Sequence, residues 1–189
     1  MNSNKKIVLA VTGASGMPYT MELIRQLKAG GLEVHLIVSK AAYKVLDIES
    51  PGFEQVLELA DHRYTQDELA APMAGGTFIH QGMIVCPCSM ASLGAIANGL
   101  GSNLIHRSAD VTLKEKRPLV IVPRETPLNR IHLGNMLKAH DAGATILPPC
   151  PGFYHSPKSI DQLIKHIVSR ILDAAGIDNN IFKRWSGVK

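Results

Sequence analysis

The sequence has few cysteines and few aromatic residues, and no hydrophobic run long enough to cross a membrane. Its 189 residues include only Cys86, Cys88 and Cys150, too few for a disulfide framework in a chain of this length. The Cys86-Pro87-Cys88 segment lacks the C-x-x-C spacing of redox and zinc motifs. No apolar segment reaches the ~18 residues of a membrane helix, and no signal peptide precedes the first strand. We therefore expect reduced cysteines, no membrane partner and a cytoplasmic protein.

Several motifs that would define a function are also missing. Lysine and arginine exceed the acidic residues by only four, and no basic block or basic stripe with interleaved aromatic residues points to nucleic acid. The eight histidines form no H-x-x-x-H or H-E-x-x-H spacing, so we expect no metal site. No G-x-S-x-G elbow is present, which disfavours a serine hydrolase. The small positive charge favours anionic ligands.

The order of apolar segments predicts strands that alternate with helices. The expected strands are 6–11, 33–38, 83–86, 119–122 and 145–147, and the expected helices are 19–29, 41–48, 89–97, 103–115, 130–142 and 159–175. Helices of this length between strands require right-handed crossovers and a parallel sheet covered on both faces. The polar, Ala/Gly-rich residues 61–76 are expected to form a mobile loop. We predict an α/β, three-layer fold of the Rossmann-like or flavodoxin-like kind, with residues 1–189 forming a single domain.

The turn after the first strand, residues 12–16, has the sequence Thr-Gly-Ala-Ser-Gly and leads into a helix. Such a turn either binds an anion at the helix N-terminus or is a tight connection without a ligand. A dinucleotide fingerprint fails, because Pro18 and Tyr19 stand where the third glycine is expected. Strand two also ends in Ser39 and Lys40 rather than in a ribose-binding acid. A mononucleotide fits this turn better.

Other strand ends carry polar groups towards the same edge of the sheet, where ligands bind in open α/β folds. Residues 86–92 place two serines at a helix start, and Arg124 follows strand 119–122 directly, next to Pro123. We interpret Arg124 as an anchor for an anion. Ser39 fits equally a hydrogen bond to a ligand and the N-cap of the next helix.

Three further features have a simple structural interpretation, and the first of them also has a functional one. Arg107, Asp110 and Lys114 share one helix face, either as exposed ion pairs or as part of a phosphate site with Arg124. Glu49 ends a short helix, where the macrodipole disfavours a carboxylate, so a solvated side chain is the default expectation. Periodicity alone also makes Arg170 a solvated residue.

Taken together, these motifs resemble the UbiX family of flavin prenyltransferases, formerly described as aromatic-acid decarboxylase subunits. The resemblance spans residues 6 to about 185 and rests on an ordered set of segments: 12–16, 38–40, 88–92, 107–115, 122–125 and 151–154. It implies an enzyme that joins a dimethylallyl group from dimethylallyl phosphate to N5 and then C6 of reduced FMN. The product, prenylated FMN, would serve a UbiD-type decarboxylase as recipient.

The resemblance also implies a role for individual residues. The expected FMN contacts are Gly13, Ala14, Ser15, Ser39, Ser89, Met90, Ala91, Ser92 and Arg124. The expected prenyl phosphate contacts are Arg107, Lys114, Tyr154 and Arg170, joined by Glu125. Ser15 and Glu49 match the pair near flavin N5, and the catalytic set is Ser15, Glu49, Lys114 and Glu125. Fixed cations would meet the departing phosphate, so no metal is needed.

The family forms ring-like homo-oligomers, so the resemblance implies a dodecamer in which Arg170 reaches the site through packing. The last helix and tail, about 159–189, are then expected to make oligomer contacts.

The sequence departs from the family pattern at residues 66–71, Gln-Asp-Glu-Leu-Ala-Ala, which carry no aromatic ring. Some relatives place an aromatic ring there, near the allyl cation. Tyr154 and Trp185 are the remaining aromatic candidates for a contact with that cation. An FMN-dependent cysteine decarboxylase, for which Cys150 is the one loose candidate, and a non-catalytic flavin-binding subunit stay open as alternatives. Either the mono- or the diphosphate could be the donor.

Overall fold

A computed structural model describes residues 5–185 and 187 of the protein. These residues form a six-stranded parallel sheet with the strand order β3-β2-β1-β4-β5-β6. The strands are β1 (Lys6–Val11), β2 (Glu33–Val38), β3 (His62–Thr65), β4 (Met83–Cys88), β5 (Leu119–Pro123) and β6 (Thr145–Ile146). The parallel α/β fold predicted from the alternating pattern is therefore confirmed.

Among the described residues, seven α-helices cover the two faces of the sheet. They are α1 (Met17–Ala29), α2 (Lys40–Glu49), α3 (Glu54–Leu57), α4 (Met90–Ala97), α5 (Leu104–Lys114), α6 (Arg130–Asp141) and α7 (Ile160–Ala174). Apolar residues of α1, α2, α3 and α7 pack in one core cluster, and those of α4, α5 and α6 pack in the other. Alternate residues of β1 enter the two clusters, Ile7 and Leu9 on one face and Val8 and Ala10 on the other. This gives the expected three layers.

Local signals explain where the helices start. The side-chain oxygens of Ser39, Ser89, Asn103 and Ser159 accept backbone N–H bonds at the starts of α2, α4, α5 and α7, which satisfies donors that have no intrahelical partner. A proline in the first turn opens α1, and Gly30 ends it. The N-cap interpretation of Ser39 is thus confirmed.

The prediction of a loop over residues 61–76 is wrong at its start. His62–Thr65 form β3, which pairs in parallel with β2 at the edge of the sheet, and Pro72–Ala74 form a 3-10 turn. Most of β3 is exposed, so the strand lacks the continuous apolar run by which the buried strands were recognised. Helix α3, which is four residues long, was not predicted either.

The topology places the connecting loops for a site. The chain leaves β1 towards β2 on one side and later returns to β4 on the other. The loops after β1 and β4 therefore diverge and leave a crevice at the carboxyl ends of these strands. Within the described ranges, none of the helices is both long and apolar enough to cross a membrane. The last residues of the segment predicted for oligomer contacts, 186, 188 and 189, lie outside the described residues.

Candidate active site at the carboxyl end of the sheet

The loops after β1, β4 and β5 line a cavity of about 300 Å³ at the switch point of the sheet. Its lining residues are Gly13, Ala14, Ser15, Val45, Ser89, Met90, Arg124 and Glu125. We call it the switch-point cavity. Seven of these eight residues were predicted as site residues, so the structure brings most of the expected flavin contacts together with Glu125. Backbone amides, hydroxyls and one guanidinium provide donors for an anionic, hydrogen-bonding ligand.

The buried Thr12 links the turn after β1 to the loop after β4 through hydrogen bonds. The Thr12 hydroxyl donates to the carbonyl oxygen of Pro87 at 2.9 Å and accepts the backbone N–H of Ser89 at 2.7 Å. One side chain at the end of β1 thus sets the position where α4 begins. Thr12 was not predicted as a site residue, and the only signal in the sequence is its place at the end of a buried strand.

Arg124 connects the loop after β5 to the turn after β1. Its Nε–H donates to the Ser15 carbonyl oxygen at 3.2 Å, and its backbone N–H donates to the Cys88 carbonyl oxygen at 3.1 Å. Among the described residues, the other N–H groups of the guanidinium donate no hydrogen bond to a side chain. Arg124 therefore lines the cavity with a fixed orientation and with donors left for a ligand.

The glycine of the first turn is needed for packing. A Cβ atom on Gly13 would lie 2.4 Å from the Cβ of Ala41, at the start of α2, closer than two carbon atoms can approach. Gly16 has a φ of 119°, a conformation that favours glycine. The motif thus allows α2 to pack tightly on the turn and lets the chain turn into α1.

Glu49 is not solvated, contrary to the default expectation. Its Oε2 atom accepts the backbone N–H groups of Gly16 at 2.8 Å and Met17 at 2.9 Å, at the start of α1. Burial favours the neutral carboxyl, but hydrogen bonds from the Ser15 hydroxyl and from these two amides, with the charge of Arg124, outweigh it and lower the pKa of Glu49. The anion at this helix N-terminus is the protein's own carboxylate, which therefore takes the place where the turn alone suggested a phosphate.

The remaining predicted flavin contacts form the start of α4 and α2. The Ser89 hydroxyl accepts the N–H of Ser92 and donates to the Ser92 hydroxyl, which holds the first turn of α4 closed. The amides of Met90 and Ala91 precede the first intrahelical bond of α4 and are oriented as donors. Ser39 is 7% exposed, caps α2 and is not among the residues that line the cavity.

A second and larger cavity, of about 660 Å³, contains two of the predicted phosphate contacts. Its lining residues are Leu147, Pro148, Cys150, Gly152, Tyr154, His166, Ile167, Ser169, Arg170, Asp173, Phe182, Lys183, Arg184 and Trp185. We call it the tail cavity. Tyr154 comes from the loop after β6 and Arg170 from α7. The Arg170 side chain is exposed and pairs with Asp173 at 3.3 Å, so the solvated position expected from periodicity is confirmed.

Arg107 and Lys114 line neither of these two cavities. Arg107 bonds the Ala74 carbonyl oxygen at 3.2 Å and pairs with Asp110 at 2.8 Å. The Lys114 ammonium pairs with Glu115. Within one chain, therefore, Arg107 and Lys114 join neither Arg124 nor the pair Tyr154 and Arg170. The reason is that α5 presents its charged face next to the 3-10 turn and away from the tail cavity.

Three side chains at the opposite end of the sheet form a group that chain spacing could not reveal. Glu33 and His35 lie on β2 and His62 lies on β3, and their ligand-type atoms lie within 4.8 Å of one another. Glu33 Oε1 is 3.0 Å from His35 Nε2 and 3.2 Å from His62 Nε2, and Lys6 Nζ lies 3.9 Å from the same oxygen. These contacts give the Glu33 carboxylate hydrogen-bond and ion-pair partners within the protein.

Comparison with known proteins identifies the family. The flavoprotein family model matches residues 1–172. The flavin prenyltransferase UbiX of Methanocaldococcus jannaschii is 46% identical over 184 residues, which cover 97% of this chain and all of that protein. The chain belongs to the UbiX family of flavin prenyltransferases. The resemblance drawn from the ordered motifs is therefore confirmed.

Solved structures of UbiX relatives agree in fold over nearly the whole chain. The structure of AnUbiX (PadA1) in complex with FMN and dimethylallyl pyrophosphate superposes with a TM-score of 0.96 at 44% identity, covering 98% of this chain and 100% of that one. A dodecameric FMN-dependent UbiX-like decarboxylase from Escherichia coli O157:H7 superposes with a TM-score of 0.92 at 41% identity, covering 96% and 100%. This UbiX-family chain thus has the complete fold of relatives that bind FMN.

The cysteines of this UbiX-family chain do not resemble an activated thiol at the switch-point cavity. Cys86 and Cys88 are fully buried, and burial raises the pKa of both thiols, that of Cys88 to about 12. Cys150 is exposed and lines the tail cavity. The structure therefore provides no specific support for the cysteine decarboxylase alternative.

Proposed function

We propose that this protein transfers the dimethylallyl group of dimethylallyl phosphate to N5 and C6 of reduced FMN and releases prenylated FMN for a UbiD-type decarboxylase. The observation that carries the proposal is the convergence of Gly13–Ser15, Ser89, Met90 and Arg124 on one cavity at the switch point, in a chain that belongs to the flavin prenyltransferase family. A relative with the same fold was crystallised with FMN and dimethylallyl pyrophosphate.

The chemistry of the switch-point cavity fits a flavin mononucleotide. The free donors at the start of α4 and the guanidinium of Arg124 suit the phosphate and the polar edge of the flavin. The crevice at the switch point is where doubly wound folds bind such ligands. When bound, reduced FMN supplies the nucleophilic positions N5 and C6. The protein's part is to hold the flavin and the donor in contact and to meet the charge of the departing phosphate.

Glu49 and Ser15 are proposed to act near flavin N5. The lowered pKa of Glu49 keeps its carboxylate ionised at neutral pH, so its negative charge can stabilise a neighbouring allylic cation. The same low pKa makes it a weak proton acceptor, so we expect it to hold a transferred proton only transiently. The Ser15 hydroxyl, bonded to Glu49, gives this carboxylate a path for relaying a proton towards the cavity that Ser15 lines.

The prenyl phosphate is proposed to bind to Tyr154 and Arg170 of one copy of the chain and to Arg107, Lys114 and Glu125 of other copies. Glu125 lines the switch-point cavity of its own chain, so the tail cavity of one copy would face the switch-point cavity of another. Three guanidinium and ammonium groups and a phenol would provide preorganised counter-charges for the leaving phosphate, which is the electrostatic help that often dominates catalysis. Within one chain these groups lie apart. A shared site explains why Arg107 and Lys114 are separated from the cavities in a single chain.

Exposed apolar side chains support such an assembly. Ile131, Leu133 and Leu137 on α6 are each more than half exposed, and so are Phe153, which precedes Tyr154, and Ile160 at the start of α7. Apolar surface of this kind is typical of contacts between subunits. A dodecameric relative is 41% identical to this chain, so we propose a homo-oligomer of that kind.

The transfer to a decarboxylase can be tested separately from flavin binding. The protein is incubated anaerobically with reduced FMN and dimethylallyl phosphate, and the protein-free filtrate is added to an apo UbiD-type decarboxylase. We expect decarboxylase activity only from the complete mixture, and not when the donor or the protein is omitted. A filtrate that never activates the apo-decarboxylase, although the protein binds FMN, would contradict the proposal and favour the non-catalytic flavin-binding alternative.

A further inference from the structure

His166 on α7 contacts Tyr154, the proposed phosphate ligand, from the buried side of the loop after β6. The His166 side chain is buried, with 6% of the residue exposed, whereas Tyr154 is 55% exposed. His166 Nε2 lies 3.3 Å from Tyr154 Oη, and His166 Nδ1 accepts the backbone N–H of Gly152 at 3.1 Å. One imidazole thus contacts both the backbone and the side chain of the loop that carries Tyr154.

The Gly152 contact determines which nitrogen of His166 carries the proton. A backbone N–H can only donate, so Nδ1 must be an acceptor and carries no proton. The proton of the neutral ring is then on Nε2, which donates to the oxygen of Tyr154. Because the phenol oxygen accepts from His166, the Tyr154 O–H is free to donate elsewhere, and the ring lies along the tail cavity.

We propose that His166 is a positioning residue that fixes the Tyr154 phenol and directs its O–H towards the phosphate of the prenyl donor. This inference rests on the proposed function and deepens it. His166 and Arg170 stand four residues apart on α7 and so share one helix face. Helix α7 then supplies both contacts to the phosphate, Arg170 directly and Tyr154 through His166.

The surroundings of His166 keep the ring neutral, as this arrangement requires. Burial, followed by the neighbouring His155 and Arg170, lowers the pKa of His166. Lys183 and Arg184 from the tail line the same cavity and add positive charge, which Asp173 offsets in part through ion pairs with Arg170 and Arg184. A protonated ring would place a donor on Nδ1 against the Gly152 N–H. Acid should therefore disrupt the loop at Gly152 and the orientation of Tyr154 together.

Packing alone does not require a histidine at this position. His166 packs against Phe182 with ring centroids 4.7 Å apart, and Tyr154 lies edge-on to His166 and to Trp185. A phenylalanine could make the same ring contacts but neither hydrogen bond. His166→Phe therefore separates the positioning role from the structural one, and His166→Gln keeps an amide N–H that can donate to Tyr154.

The test is direct titration of dimethylallyl phosphate into the FMN-loaded wild-type protein and into His166→Phe, His166→Gln, Tyr154→Phe and the double variant His166→Phe/Tyr154→Phe. We expect His166→Phe to weaken donor binding about five- to tenfold, as the loss of one hydrogen bond would, and to leave the FMN dissociation constant unchanged. His166→Gln should stay within about threefold of the wild type. The double variant should bind no more weakly than Tyr154→Phe.

The outcomes separate this inference from the proposed function. Unchanged donor binding in His166→Phe, or effects of His166→Phe and Tyr154→Phe that add in full, would overturn the positioning role even if the wild type prenylates FMN. Weaker donor binding in His166→Phe without any prenyl transfer by the wild type would support the positioning role and contradict the proposed function. Neutron diffraction gives an independent reading, since a deuterium on Nδ1 rather than Nε2 of His166 would also overturn the inference.

Discussion

The Nε–H of Arg124 donates to the carbonyl oxygen of Ser15 at 3.2 Å, which joins two loops that are 109 residues apart in the chain. This bond fixes the guanidinium between the turn after β1 and the start of α4. It connects the anchor proposed from the sequence to the walls of the same cavity.

Replacing Arg124 with alanine should weaken FMN binding. We expect the FMN dissociation constant to rise about 10- to 100-fold, because charge-assisted hydrogen bonds to the flavin are lost and the contact with Ser15 is broken. Flavin fluorescence quenching measures the change. Arg25→Ala is the control, because Arg25 lies on the exposed side of α1 and should bind FMN like the wild type. An unchanged dissociation constant in Arg124→Ala would remove Arg124 from the site.

Replacing Glu49 with glutamine should slow bond formation and leave FMN bound. The amide oxygen can still accept the N–H groups of Gly16 and Met17, but the negative charge near the allylic group is lost. We expect the single-turnover rate with reduced FMN to fall about 100-fold or more, measured by stopped-flow absorbance. The exposed Glu58→Gln is the matched control. Equal rates in Glu49→Gln and the wild type would show that Glu49 takes no part in bond formation.

The lowered pKa of Glu49 predicts a pH dependence of stability. A carboxyl group whose pKa is lower in the folded than in the unfolded chain stabilises the fold above its ordinary pKa of 4.5. This contribution is lost as the pH falls through the folded-state pKa. Urea unfolding from pH 7 to pH 3 should therefore show a shallower loss of stability in Glu49→Gln than in the wild type. Parallel pH profiles of the two proteins would show that Glu49 is not held ionised at the α1 N-terminus.

Replacing Gly13 with alanine should destabilise the fold. The new Cβ atom would lie 2.4 Å from the Ala41 Cβ, so the start of α2 must move. We expect a loss of about 1–3 kcal/mol in the free energy of unfolding, the usual cost of overpacking, measured by urea denaturation. Gly75→Ala is the control, since the nearest atom to a Cβ there is the Pro72 carbonyl oxygen at 3.7 Å, an ordinary contact distance. This substitution should stabilise by at most about 1 kcal/mol. A Gly13→Ala protein as stable as the wild type would contradict the packing explanation.

A site shared between copies predicts that two inactive variants can restore one another. Lys114→Ala and Tyr154→Phe should each lose prenyl transfer as a homogeneous protein. If these residues come from different copies, oligomers assembled from an equal mixture should contain about a quarter of sites with both residues intact. Activity recovered after co-expression and separation by two affinity tags would show this. No recovery in purified mixed oligomers would mean that the site is not shared in this way.

The sequence predicted the architecture well because the elements carry local signals. Pro18 and Gly30 bound α1, and continuous apolar runs mark the buried strands β1, β2, β4 and β5. β3 was missed because an exposed edge strand has no such run. The composition of a segment such as residues 61–76 does not reveal pairing with a distant strand.

Predicting the site was harder, because its residues meet only in the folded chain. Gly13–Ser15, Ser89 and Arg124 follow strands whose carboxyl ends meet at one edge, so topology was enough to group them. Glu49 follows no strand, and its hydrogen bonds to Gly16 and Met17 depend on how α2 packs. A single helix face likewise could not show that Arg107 and Lys114 lie away from Tyr154.

Prenyl transfer is read directly from the mass of the flavin released after anaerobic incubation of the protein with reduced FMN and dimethylallyl phosphate. We expect a flavin that has gained one five-carbon prenyl unit, formed with the wild type and much more slowly with Glu49→Gln. Recovery of unmodified FMN alone, from wild-type protein shown to bind both FMN and dimethylallyl phosphate, would contradict the proposed prenyl transfer.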